Sequence, residues 1–326
     1  MNLMMAFKHI LSDIGLWFFW YPLRLFIKSI PLGGRYVSAE VITSISYPGL
    51  KKQLKQYTEY FYQKCKLQKG EIRKDQVSAT AKKSYKLYVK RHIEDLFMGS
   101  LTPKLMHRLV EIEGRDNLNS ALREGKGCII QLAHFGSFMF VLPALALEGY
   151  PVNQLVGNPV LRHHRKVHAK IFQAKVKENS KLPVNFIHAD KSLRPVLQAL
   201  RKNELVAMAL DGREGKDWVK VPFLGHTANL SPGPVRLAFS TGAKILPTFM
   251  LEQANNRKKL VIAQALQLQD SSDKEEFCRQ NMRLLAEIFE EYILSHPSHF
   301  LMTMHTLKKQ ARAGIIDVPL FEEDVL

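Results

Sequence analysis

Three stretches of the chain carry side chains whose type and spacing suit chemistry. In Gln131-Leu132-Ala133-His134-Phe135-Gly136-Ser137-Phe138-Met139 an imidazole follows a short apolar run and precedes a glycine by two residues. A histidine with an ordinary pKa near 6.5 accepts a proton at neutral pH and can serve as a general base. Gly136 permits close backbone approach of a substrate, and N–H groups opening a following helix favour a developing negative charge. The second stretch, Leu210-Asp211-Gly212-Arg213-Glu214-Gly215, offers two carboxylates and a guanidinium between glycines. That planar fork suits phosphate or carboxylate. The third runs from Val221 to Pro247 and is dense in Gly and Pro. Ser231 reads as a helix N-cap with Pro232 at the first helical position, and Gly242 as the C-cap.

The elements that position these residues follow from periodicity. From about residue 116 short apolar runs alternate with helical patterns. Strands are expected at 128–132, from 151 to 156, and at 184–188, 204–210, 244–251 and 259–266. Helices are expected at 117–124 (capped by Asp116), 161–178, 190–202, 232–241 and 274–294. Such alternation gives an α/β fold with a mixed, largely parallel sheet flanked by helices. Sites in these sheets lie beyond the carboxyl ends of strands, where His134 and Asp211 both fall.

The N-terminal third has a different character. The aromatic run Trp17-Phe18-Phe19-Trp20-Tyr21 lies in an apolar segment, 14–27, that is broken by Pro22 and Arg24. The segment reads as an N-terminal membrane-associating helix with its rings at headgroup depth. The chain has 47 Lys+Arg against 30 Asp+Glu, a net charge of +17. Residues 51–108 hold 15 Lys/Arg and 5 Asp/Glu, so most of that surplus sits in two or three basic helices just after the apolar segment. A polyanionic partner follows: an acidic membrane face or an acidic carrier protein. Nucleic acid is disfavoured because the aromatics are not interleaved with the basic residues and no nucleic-acid motif is present. Three widely spaced cysteines form neither a disulfide scaffold nor a C-x-x-C metal pair. Four parts are expected: an anchor over 1–34, a basic helical region over 35–115, an α/β domain over 116–310 and a tail over 311–326.

Taken in order, His134-Phe-Gly136, Leu193-Arg-x-x-Leu-x-Ala-Leu-Arg-x-x-Glu204, Asp211-Gly212, Val221-Pro-Phe-Leu-Gly225 and Gly233-Pro234-x-x-Leu237-Ala238-x-x-Thr241-Gly242-Ala243-x-x-x-Pro247 resemble the lysophospholipid acyltransferase superfamily. Within it they are most similar to the branch of late lipid A acyltransferases of bacteria. A looser echo is His296-Pro-Ser-His-Phe-Leu-Met302, expected as a final strand. The resemblance implies a glycerolipid acyltransferase-like fold at the cytoplasmic side of the inner membrane. It implies transfer of a fatty acyl group from an acyl thioester, carrier protein or CoA, to a hydroxyl or amine of a lipid acceptor. No metal or prosthetic cofactor is implied. His134 would be the base, with backbone N–H groups near Gly136 holding the oxyanion and Ser137 close by. Arg213 and Arg162 would clamp a phosphate, and the apolar stripe Phe138, Phe140, Leu142 and Leu145 would be either acyl channel or core.

The family signature sets an Asp or Glu five positions after the histidine. Here that position is Met139. Three readings are open. Asp211 or Glu214 supplies the missing acid, Ser137 or a backbone carbonyl orients the ring, or the chain is a non-catalytic relative that binds lipid or acyl carrier. The carboxylate nearest the His134 ring discriminates among them.

Overall fold

The structure, a computed structural model, describes residues 3–65, 73–157, 166–188, 192–213 and 215–322. Nine strands are described: β1 (Val110–Glu113), β2 (Cys128–Leu132), β3 (Val152–Val156), β4 (Val184–His188), β5 (Leu205–Ala209), β6 (Val219–Phe223), β7 (His226–Leu230), β8 (Lys244–Glu252) and β9 (Lys258–Ile262). Seven of them form one sheet in the order β1-β9-β8-β2-β5-β3-β4. Every neighbouring pair in it is parallel except β8 and β9. The expected mixed, mostly parallel sheet is therefore present.

Strand β2 lies at its centre and is buried along its whole length, as a strand covered on both faces must be. Its alternate residues enter two different cores. Cys128, Ile130 and Leu132 pack with the N-terminal helices, and Ile129 and Ala133 with the C-terminal ones.

Helix α1 (Leu3–Phe18) leads into the helices that cover the first face, α2 (Arg24–Ser29), α3 (Leu32–Lys64), α4 (Lys74–Phe97), α5 (Pro103–Leu109), α6 (Arg115–Arg123) and α7 (Val141–Leu147), which have buried residues in one cluster with β2, β8 and β9. Helix α8 (Lys166–Asn179) packs beside α1. The second face is covered by α9 (Arg194–Arg201), α10 (Gly233–Thr241), α11 (Lys274–Ser295) and α12 (Leu301–Arg312). Local chemistry sets several boundaries. The Thr102 hydroxyl accepts the Leu105 N–H ahead of Pro103, and Asp273 caps α11 by accepting the Glu275 N–H at 2.8 Å. Gly242 closes α10 at φ 72°.

Some expectations need correction. Helix α6 opens two residues earlier than expected, at Arg115. Gly114, at φ 83°, makes the turn and Asp116 lies inside the first turn, where its charge suits the helix dipole. The segment 296–302 is not a strand. Pro297–His299 form a 3₁₀ turn and the chain continues as α12, because Phe300, Leu301 and Met304 recur at helical spacing and bury one face. Strand β9 ends at Ile262, after which the Ala263 and Leu266 N–H groups still donate to carbonyls of β8. Strand β1 and the β6–β7 hairpin were not expected. The hairpin turns on Leu224 and Gly225, at φ 52° and 79°, the two left-handed positions of a tight two-residue loop.

Helices α1 and α2 join through a π-turn at Phe19–Leu23 that accommodates Pro22. Trp20 and Ile27 face the protein, whereas Ile10, Leu11, Ile14, Trp17, Phe18, Leu25 and Phe26 are exposed. On α3 the stripe Val37, Val41 and Ile45 is exposed as well. The segment Ile10–Ser29 is long and apolar enough to cross a membrane.

Candidate active site

Parallel pairing of β2 with β5 brings the two chemical segments together. Leu132 is in register with Ala209, so the residues two positions beyond each, His134 and Asp211, meet at one edge of the sheet. The Leu210 N–H donates to the Leu132 carbonyl at 2.7 Å and locks that register past the strand ends. The Asp211 carboxylate is 3.0 Å from His134 Nδ1 and accepts the His134 backbone N–H at 3.2 Å on both oxygens. An ionised carboxylate only accepts, so Nδ1 carries the proton and Nε2 keeps a free lone pair.

Asp211 is 2% exposed, whereas 42% of the His134 side chain meets solvent. Partial desolvation favours the neutral ring, but the adjacent Asp211 charge and hydrogen bond outweigh it, so the His134 pKa lies above its ordinary value. Burial would raise the Asp211 pKa; the His134 ring and backbone N–H reverse this and hold it below the usual carboxylate range.

The loop after His134 is braced from behind. Gly136 adopts φ 58°, and a Cβ there would come within 2.3 Å of the Met250 carbonyl oxygen. Its N–H donates to the His299 carbonyl at 3.0 Å, and the Thr303 hydroxyl donates to the His134 carbonyl. The His299 ring stacks on Phe135, and its Nε2 accepts the Glu252 N–H at 3.1 Å. Burial pushes its pKa down to about 4 despite Glu252 nearby, so the ring is neutral.

Ser137 is buried, its hydroxyl between Glu252 (2.5 Å) and Glu94 (2.9 Å). Behind it lies a buried quartet of charges. Lys90 pairs with Glu252 at 2.5 Å and Lys258 with Glu94 at 2.5 Å, with Lys258 at 0% exposure. Burial alone would discharge Lys258; Glu94 and Glu252 instead raise its pKa. The sequence reading missed this quartet, whose members stand in otherwise amphipathic helix and strand patterns.

Arg213 is occupied by its own loop. Its Nε donates to the Gly212 carbonyl at 3.0 Å and its Nη1 to the Asn229 carbonyl at 2.9 Å, and its guanidinium lies 4.4 Å over the Trp218 ring. Burial pushes its pKa down to about 10 against the opposing pull of Asp211. The loop also receives the chain's last described segment, since the Asn229 N–H donates to the Leu320 carbonyl at 2.8 Å. Phe140, Leu142 and Leu145 belong to the core, whereas Phe138 meets the His134 ring edge-on at 4.6 Å. Met139 packs against that core, partly buried. Arg162 and Glu214 lie outside the described residues.

A phenolic, thiol or metal-bound nucleophile is not part of this geometry. Among the described residues no group of three or more His, Cys, Asp or Glu is placed to hold a metal ion, and Cys65, Cys128 and Cys278 are buried and free. The arrangement is an imidazole oriented by a carboxylate at a sheet edge, a geometry able to serve as a general base.

Comparison with known proteins gives the family. The model of the family described as bacterial lipid A biosynthesis acyltransferase matches residues 68–309, and the chain belongs to that family. The chain is also similar to the phosphatidylinositol mannoside acyltransferases of two Mycobacterium tuberculosis strains, CDC 1551 / Oshkosh and H37Rv. It is 26% identical to each over 141 residues, which is 42% of this chain and 42% of either relative. The match thus spans less than half the length of these curated relatives.

Proposed function

We propose that this member of the lipid A acyltransferase family moves a fatty acyl group from a thioester to a hydroxyl or amine of a lipid acceptor, with His134 as general base. The observation that carries the reading is the 3.0 Å contact between His134 Nδ1 and the buried Asp211 carboxylate. It supplies the acid that Met139 lacks, from a different strand. Nε2 takes the acceptor proton as the acceptor oxygen or nitrogen bonds to the thioester carbonyl carbon. The tetrahedral adduct then expels the thiolate, which recovers that proton from the imidazolium. Charge and atoms balance without an oxidant, a metal or a prosthetic group.

The oxyanion needs donors that are not already spent. The Gly136 N–H is committed to His299, so the role passes to the N–H groups of Phe138 and Met139. These open the helical turn 138–140, where the first donors of a helix have no intrahelical acceptor.

The donor is an acyl carrier protein or CoA thioester, both acidic, and the basic surplus over residues 51–108 suits either. Residues 1–34 dock on the cytoplasmic face of the inner membrane through the exposed apolar face of α1 and α2, while 116–310 carry the chemistry. Each Lys or Arg near anionic lipid adds on the order of 1 kcal/mol.

The test is thioester-dependent acylation of a membrane lipid extract by the full chain in mixed micelles. His134→Ala abolishes the transfer in this reading, and wild-type protein that turns over no acyl thioester would leave a lipid- or carrier-binding relative instead.

A further inference from the structure

The C-terminal segment of the chain touches the loops of both His134 and Asp211. At its near end the His299 carbonyl accepts the Gly136 N–H at 3.0 Å, and the Thr303 hydroxyl donates to the His134 carbonyl. The chain then runs the length of α12, turns at Gly314 with φ 63°, and returns beside the other loop. There it adds to the outer edge of β7. Phe321 bridges Ala228 in antiparallel fashion, the Leu320 carbonyl accepts the Asn229 N–H at 2.8 Å, and the Glu322 N–H donates to the Thr227 carbonyl at 3.2 Å. Leu320 and Phe321 are buried, and the Phe321 ring stacks on Phe223.

Arg213 joins this strap to the acid. Its Nε donates to the carbonyls of Asp211 (3.3 Å) and Gly212 (3.0 Å), so it grips the backbone that carries the carboxylate. Its Nη1 reaches the other way, to the Asn229 carbonyl at 2.9 Å and the Pro319 carbonyl at 3.4 Å. The Asn229 side-chain amide donates to the same Pro319 carbonyl at 3.2 Å. One side chain thus ties acid loop, hairpin and tail, and a planar fork of fixed donors suits that task where the single nitrogen of a lysine does not. Among the described residues the Asp211 carboxylate hydrogen-bonds to His134 alone. Its direction is therefore inherited from the backbone that Arg213 holds.

We propose that Arg213 is a positioning residue that aims the Asp211 carboxylate at His134, and that the tail residues Pro319–Phe321 are its outer support. The proposal rests on the acyl-transfer reading for its effect on rate, and on the geometry of the pair alone for its effect on the ring. It gives Arg213 a structural partner in place of a substrate phosphate, and it gives the tail beyond α12 a share in the site.

The test reads the ring directly, as the carbon-13 Cε1–H signal of His134 in the full chain with labelled histidine, held in neutral detergent micelles. The signal is assigned by its loss in His134→Gln and titrated across the neutral range. The charges that act on this ring are Asp211, Arg213 on the same loop and Arg91 of α4. Removing the Arg213 charge would by itself raise the midpoint, whereas a displaced Asp211 lowers it, so the sign of the shift separates the two effects. Arg213→Gln should lower the midpoint by about one unit, toward its value in Asp211→Asn, and Arg213→Lys should recover part of that loss. Phe321→Ala, which changes no charge, should lower it by about half a unit through the tail alone. Arg213→Gln and Phe321→Ala should each cut kcat by about tenfold or more, with KM for the thioester within about twofold of wild type.

A midpoint that rises or stays in Arg213→Gln overturns the proposal. An unmoved midpoint in Phe321→Ala overturns the part given to the tail. Should Arg213→Gln lose the near-ultraviolet dichroism of the folded chain, Asn229→Ala takes its place. That variant cuts the 3.2 Å tie to Pro319 without changing a charge, and an unmoved midpoint there overturns the link between tail and acid. A wild type whose midpoint depends on Arg213 but which turns over no thioester sinks the acyl-transfer reading while upholding the positioning role.

Discussion

Replacing Asp211 by Asn tests the core of the proposed mechanism. The substitution keeps the shape of the side chain and changes what it can accept. The carboxylate takes the Nδ1–H at 3.0 Å and the backbone N–H at 3.2 Å together. An amide has one oxygen and must turn its NH₂ toward one of those two donors, in a pocket where only 2% of the residue is exposed and water gives no relief. If the NH₂ faces the ring, the proton moves to Nε2 and the lone pair that should remove the acceptor proton is lost. The analogous exchange in a Ser-His-Asp triad costs about 10⁴ in rate, which corresponds to about 5 kcal/mol of transition-state stabilisation.

The pH profile gives a second, independent sign. In the wild type the rate rises with pH as His134 loses its proton, with a midpoint above the ordinary 6.5 because Asp211 holds that proton. Without the carboxylate the midpoint moves to lower pH even as the plateau falls. The assay is initial-rate thiol release from an acyl thioester with a lipid extract, from pH 5 to 9. A variant that keeps a tenth or more of the wild-type plateau with an unmoved midpoint would show that the pair is not the working base and its orienter.

Other outcomes follow from neighbouring geometry. Met139→Glu should raise the turnover number by less than twofold, because Asp211 already occupies Nδ1; it should also lower stability by about 1–3 kcal/mol, since residue 139 packs against the core. A tenfold gain in activity would refute the rerouted acid. Lys258→Met strands Glu94 at 1% exposure and should cost about 3–5 kcal/mol in urea unfolding, with Glu94→Gln in the same chain recovering part of the loss. Equal stability of single and double variants would contradict the pairing.

Glu178 clasps Arg24 at 2.6 Å and Lys28 at 2.8 Å, tying α2 to α8. Desolvation would raise its pKa, but hydrogen bonds from Lys28, Lys181 and Arg24 bring it down to about 2. A depressed carboxylate stabilises the fold above its ordinary value near 4.5 and loses that contribution as pH falls toward 2. Emission from Trp20, in a background lacking Trp17 and Trp218, should therefore shift to the red over that window, and Glu178→Gln should abolish the transition. Persistence of the transition in that variant would mean another group controls it.

How much of this was legible beforehand depended on how local each signal was. The strands carrying His134 and Asp211 showed as short apolar runs ended by polar residues, and the sheet-edge rule put both residues on the same side. Choosing Asp211 as the partner of the ring was beyond periodicity, since it depends on β2 and β5 being adjacent in the sheet although 77 residues separate the two side chains. The β6–β7 hairpin was hidden because Pro222 breaks the strand pattern and Leu224 takes a left-handed turn position that its side chain disfavours. Arg213 misled for a related reason: a guanidinium between glycines looks like an open anion clamp, and only the folded loop shows it stapling carbonyls.

The buried quartet Lys90, Glu94, Glu252 and Lys258 bears on how such a sequence can drift. Helix α4 supplies two of the four charges and the β8–β9 ribbon the other two, so no short stretch of mutation can exchange them together. Any single neutral replacement leaves an opposite charge stranded out of water, a step steeper than a marginally stable fold tolerates. Lineages should keep all four or arrive at an apolar filling by paired jumps, and the positions should covary across descendants as one heritable block.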